Sequence, residues 1–214
     1  MLRNFTPEYF YGLLLSLPGI LIAISFHEMA HAYAADAMGD PTPKMMGRLT
    51  LNPLKHIDPI GFIAMILLRF GWAKPVPINP GNFKDRKKGI IAVSLAGCLT
   101  NLLLAFIGMA AYFAVLPLNN EILLVILQYI YLYNVVFAVF NLIPIPPLDG
   151  SQILAEFLSP SARQKYHDFS RYGMLILLIL MFTGLFGMII NPIVDGIIHL
   201  FASILSPIFT MIWM

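Results

Sequence analysis

Apolar residues run through this chain in long blocks rather than in alternation. Residues 9–35 form the first block, 89–117 the second, 122–148 the third, 172–190 the fourth and 196–213 the fifth. Each is close to or above the about 20 residues an α-helix needs to cross the hydrocarbon core of a bilayer. The run GFIAMILL at 61–68 is too short to cross and predicts a re-entrant or interfacial helix. Residues 40–88 break the pattern. MGRLTLNP and AKPVPINP are short, extended-looking pieces ending in Asn-Pro, and proline punctuates the whole stretch. Small edge strands are predicted there, over about 46–52 and 74–79. No solenoid-type repeat or low-complexity tract interrupts the blocks.

Composition agrees with the blocks. The chain has 214 residues, is 59% hydrophobic and carries 11% charged residues, against about 25% in an ordinary soluble domain. Its mean hydropathy is +0.80. The reading is an all-α polytopic membrane protein of about five transmembrane helices, built as one integral-membrane domain over residues 1–214. Its core is expected over about 9–158, with further helices in 172–213. The bilayer is its solvent. A net charge of +2 gives no basis for a nucleic-acid partner. A single cysteine, Cys98, excludes an internal disulfide and a cysteine-rich metal site. The first block has little basic flank beyond Arg3, so it reads as a retained span rather than a signal peptide.

The placement of charge orients the chain. Lys44, Arg48, Lys55, Arg69, Lys74, Lys84, Arg86, Lys87 and Lys88 fall between the first and second blocks, and Arg163, Lys165 and Arg171 between the third and fourth. The link at Asn119 and Asn120 has no basic residue. The positive-inside rule places 36–88 and 158–171 in the cytoplasm, which puts the small β segments on that side, the N-terminus outside and, with five crossings, the C-terminus inside.

The candidate chemistry lies inside the first block, in AISFHEMAHAYAADAMG. His27 and His31 are one helical turn apart on one face, the spacing that lets two imidazoles hold one ion. Glu28 stands beside the ion's open position, where a general base for a metal-activated water belongs. Chance yields H-E-x-x-H in roughly one chain in 500 of this composition. Ionisable groups in apolar spans are functional by default. Zinc is the default ion for such a nitrogen-rich pair. A third ligand must come from the same depth. The third block runs back toward the cytoplasm and ends in NLIPIPPLDG, where Asp149 is the one acid. Pro144, Pro146 and Pro147 forbid a continuous helix, so this backbone is expected to be unwound around a buried or wet site, with Gly150 permitting a sharp turn. The alternative for Asp149 is a cap on the next helix.

H-E-x-x-H in one span and N-x-x-P-x-P-P-L-D-G in a later one resemble the site-2 protease family of intramembrane zinc metalloproteases. GRLTLNPLKHIDPIG and GWAKPVPINPGNF resemble its compact prokaryotic members, which lack PDZ and CBS domains. The resemblance covers about residues 20–158. It implies one zinc ion held by His27, His31 and Asp149, with Glu28 as base. It implies cleavage of the transmembrane helix of a client protein near the cytoplasmic face of a prokaryotic cell membrane. Asn101 and Asn141 are then substrate-binding or oxyanion-side amides, or else simple helix–helix contacts. One departure is visible. Where the family shows A-G-P-x-x-N, this chain has AGCLTN, with Cys98 at the proline position, which lets the helix run unbroken. The rival functions are a metal transporter or channel using the same side chains in transit, and an inactive chaperone of membrane helices. Asp195 and His199, four apart in the last block, either pair near the outer interface or face a water path to the site. His56 reads as an exposed or capping loop residue.

Overall fold

The structure, a computed structural model, describes residues 6–68 and 71–213. Arg3 and Arg69 lie outside the described residues. Nine α-helices appear among those residues: α1 (Pro7–Met38), α2 (Thr42–Met45), α3 (Pro59–Leu68), α4 (Arg86–Val115), α5 (Glu121–Asn141), α6 (Asp149–Ala155), α7 (Pro160–Ser170), α8 (Gly173–Phe182) and α9 (Leu185–Trp213). In lipid every backbone N–H and C=O must be satisfied within the segment, and the helix does this for apolar runs of this length.

Helices α1, α4 and α5 pack against one another as the central trio. Their contacts are lined with small side chains, Ala23, Ala32, Ala35, Ala105 and Ala138 all being buried. Between membrane helices such residues let backbones approach closely, where hydrophobic burial alone gives no drive. Helix α9 leans on α4 and α5 through Ile190 and Val194, which join Ala105, Val135 and Val139 in one cluster. Its direction follows from three ring contacts: Phe186 against Phe140, Phe201 against Phe106, and Phe209 against Phe113. α9 therefore runs parallel to α4.

Four helices, α1, α4 (continued to Leu118), α5 and α9, are long and apolar enough to cross a membrane. This differs from five spans. Residues 191–195, with Asn191 and Asp195, divide the fourth block from the fifth in the sequence. In the structure the helix instead breaks at Thr183–Gly184 and continues through Pro192 to Trp213. Residues 173–182 are left as a ten-residue helix, about 15 Å long and too short to span. With four crossings and α9 parallel to α4, the start of α1 and the end of α9 lie on one face rather than on opposite faces, as five crossings would place them.

The segment between α1 and α4 is short helices joined by loops, not sheet. Among the described residues no strand forms, and the one β-bridge is Ile57 with Ala73. Of the four backbone N–H donors in residues 74–79, three are committed: Lys74 N–H to the His56 carbonyl, Val76 N–H to Glu28 and Asn79 N–H to Asp40. Pro75 and Pro77 have none to give. The expected edge is thus a wall. Helix α3 extends from it alongside the first half of α1, where the Tyr9 hydroxyl donates to the Ile66 carbonyl at 2.6 Å. Two buried anchors hold this loop. Asp40 accepts from Thr42, Asn79 and Asn82. Burial alone would raise its pKa, but these bonds bring it below the usual carboxylate range. His56 is fully buried, not exposed, with Nε2 on the Thr50 carbonyl at 2.8 Å and Arg48 beside it. Arg48 in turn donates to the Lys74 carbonyl.

Candidate active site

His27 and His31 face α4 from α1, about 30 Å from the start of that helix. Their reach is possible because residue 97 on α4 is glycine. A Cβ there would lie 2.6 Å from Cε1 and Nδ1 of His27 and 2.8 Å from Cε1 of His31. On the other side, α5 ends at Asn141 and the chain turns through 142–148 before α6 begins at Asp149. The unwound proline segment is thus present. Leu148, not Asp149, is the capping position, and Asp149 opens the first turn. Gly150 serves a different purpose from the expected turn. It sits inside α6, where a Cβ would fall 2.1 Å from the Leu142 carbonyl oxygen. Glu156, buried, takes Arg86 of α4 at 3.0 Å and Arg163 of α7 at 3.2 Å, which ties α6 to the start of α4.

The result is a triangle of ligand atoms. His27 Nε2 and His31 Nε2 are 2.9 Å apart, and Asp149 Oδ2 is 3.1 Å from the first and 3.2 Å from the second. Both imidazoles are buried. Their outer nitrogens are already committed. His31 Nδ1 lies 2.8 Å from the Val93 carbonyl, which can only accept, so Nδ1 donates. His27 Nδ1 lies 2.7 Å from Asn101 Oδ1. That amide is oriented by its own partners, because Asn101 Nδ2 donates to the Ala23 carbonyl and to Asn134 Oδ1, and Asn134 donates to the Ile130 carbonyl. Neutral rings so arranged turn both Nε2 lone pairs inward. Asp149 brings a carboxylate oxygen to the same point.

Three acceptors facing one point are stable only around a proton or a cation. The donor set N, N, O is that of a zinc site with an open fourth position. Zinc bonds of about 2.0–2.1 Å in a tetrahedron require ligand atoms about 3.3 Å apart. The observed 2.9–3.2 Å needs adjustment of only a few tenths of an ångström. Among the described residues this is the one group of three such side chains close enough to share an ion.

The remaining candidates separate clearly. Glu28 is buried, and its Oε2 accepts the Val76 N–H at 2.9 Å. Asn101 is fully buried behind His27, with its amide nitrogen and oxygen both used by protein. Asn141 bonds its own helix at Phe137 and lies on the wall of a cavity of about 790 Å³. That cavity is also lined by His27, Glu28, Ala73, Pro75 and Leu148, and it extends along α1 as far as Glu8. Cys98, in an unbroken α4, places Sγ 4.0 Å from Asp149 Oδ2. Gly97, Asn134 and the Val76 N–H were not singled out from sequence. The HExxH motif predicts ligands, but what supports them is set by which helices pack beside it.

Comparison with known proteins bears on the same residues. The model of peptidase family M50 matches residues 116–184, which include Asp149. YwhC of Bacillus subtilis, provisionally named as a zinc metalloprotease, is 38% identical over 200 residues, covering 88% of this chain and 91% of its own length. Rip2 of Mycolicibacterium smegmatis, named in the same way, is 31% identical over 176 residues, 79% of this chain and 67% of its own. Rip2 of Mycobacterium tuberculosis is 27% identical over 170 residues. No solved structure matches the chain.

Proposed function

This chain belongs to peptidase family M50, the site-2 protease family of zinc metalloproteases, and from that premise we propose that it cleaves the transmembrane segment of client membrane proteins near the cytoplasmic face of a prokaryotic cell membrane. The observation that carries this reading is the convergence of two lone-pair-bearing imidazoles and a carboxyl oxygen beside a buried glutamate, at the head of a cavity running along a membrane helix.

His27, His31 and Asp149 would hold one zinc ion. When bound, the ion supplies positive charge that acidifies water and polarises a substrate carbonyl. Glu28 takes the proton from the attacking water and delivers it to the leaving amine nitrogen. The Val76 N–H holds one oxygen of that carboxylate in place between the two transfers. Asn101, through Asn134, keeps His27 in the tautomer that presents Nε2. It is a positioning residue. Asn141 is the amide placed to meet substrate backbone. The cavity wall along α1 gives a client helix room to lie alongside, and the scissile stretch must unwind before its carbonyl is free. The basic residues at 44–55, 74–88 and 163–171, at the site's end of the bundle, support a cytoplasmic position for that end, from which water would reach it. Ligands at a single depth do not make a transit path.

The test is purified protein in lipid nanodiscs against a panel of single-span substrates, wild type beside Glu28→Gln. Cleavage by wild type alone supports the reading. Cleavage by both, or zinc flux into liposomes without cleavage, counts against it.

A further inference from the structure

Helix α9 carries a stripe of polar residues at four-residue spacing, Asn191, Asp195, His199 and Ser203, all exposed on this chain. Asp195 is ten residues from the start of α9 and His199 fourteen from its end, distances of about 15 and 21 Å along the axis. Both therefore fall within the apolar interior of the bilayer, about 30 Å thick, and not at an interface. They do not pair with each other, and neither has a hydrogen bond or ion pair to another described residue. Neither lines the cavity that leads to the metal ligands, so they face no water path there. The inward face of α9, through Ile190, Val194 and Leu205, is the one spent on the bundle.

An acid and an imidazole in mid-span are costly in lipid and are found facing protein or water, paired. We propose that this face of α9 is where two copies of the chain meet, with Asp195 of each accepting from His199 of the other. The stripe is its own complement. Two parallel copies related by a two-fold axis along the membrane normal set residue 195 of one helix one turn, about 6 Å in depth, from residue 199 of its partner, a gap the two side chains span, twice over, as an isologous interface requires. A neutral imidazole keeps one N–H to donate, so the pair does not depend on a charged ring. Gly196, beside the stripe, has open space where a Cβ would stand, which allows the close backbone approach typical of paired membrane helices.

Full-length protein carrying donor or acceptor dyes, co-reconstituted in phosphatidylcholine–phosphatidylglycerol vesicles, tests this by energy transfer across a series of protein-to-lipid ratios. Wild type should give a saturable dimer signal. Asp195→Ala and His199→Ala should each weaken dimerisation about tenfold, with zinc content unchanged as the check on folding. The exchange Asp195→His with His199→Asp keeps the complement and should recover the wild-type curve. The proposal is overturned by a monomeric wild type, by single variants that dimerise as well as wild type, or by an exchange variant no better than the singles. It is equally overturned if Asp195-dependent transfer is seen only to a labelled single-span client.

Discussion

Gly97→Ala is the substitution that most severely stresses the site without touching a ligand. On a helix interior alanine is favoured over glycine by about 1 kcal/mol, so α4 itself should gain. The added methyl, however, arrives 2.6 Å from two atoms of the His27 ring and 2.8 Å from His31. An ordinary carbon contact needs about 3.5 Å or more, so the rings must retreat by nearly 1 Å. They cannot swing freely, because His31 is bonded to Val93 and His27 to Asn101, both on α4. Either those bonds break or α4 backs away from α1. Zinc–ligand distances tolerate about 0.2 Å, and losing the outer bond of a ligating histidine costs 10–100-fold in metal affinity. The expected loss is at least that, or about 1.4–2.8 kcal/mol. The assay is competition for zinc against a chromogenic chelator in purified protein. Gly108→Ala on the same helix is the control, since its Cβ meets a side-chain methyl of Ile130 at 3.1 Å. Gly97→Ala protein that holds zinc as tightly as wild type would refute the packing reasoning outright.

Other substitutions separate the roles within the site. Glu28→Gln should retain zinc and lose at least 10²-fold in cleavage rate, the usual worth of a general base; single-turnover cleavage of a model substrate checks it. Asn134→Leu removes the amide that orients Asn101 and should weaken zinc binding about tenfold, measured by the same competition. Asp40→Asn cannot accept from all its donors and should cost about 1–3 kcal/mol, read by thermal unfolding in detergent. Because the folded pKa of Asp40 is lowered, its stabilisation is present above the free aspartate value of about 3.9 and is lost as pH falls through the folded value. The difference between wild type and Asp40→Asn should therefore be constant near neutrality and shrink only below about pH 4.

Much of this site is readable before any folding, for reasons specific to each residue. His27 and His31 need only the helical period. Asp149 needs only the direction of the third block and its proline exit. Gly97, Asn134 and the Val76 N–H are invisible at that level, because each acts through a neighbour brought close by packing of α1, α4, α5 and the 74–79 loop. His56 was misjudged for the same cause. Its burial comes from Arg48, Thr50 and Lys74 closing around it. The span count failed at Pro192, which looks like a break in sequence. A membrane helix tolerates proline when neighbours and local adjustment satisfy the freed carbonyl, and the real break came at Thr183–Gly184.

Zinc binding by Asp149→Ala bears most directly on whether a carboxylate over a hundred residues from the histidines shares their ion. Purified wild type should hold one equivalent of zinc, and the variant should lose most of it under the same chelator competition while keeping its helical content. Equal affinity in the two proteins would contradict the convergence of His27, His31 and Asp149, and with it the hydrolytic site.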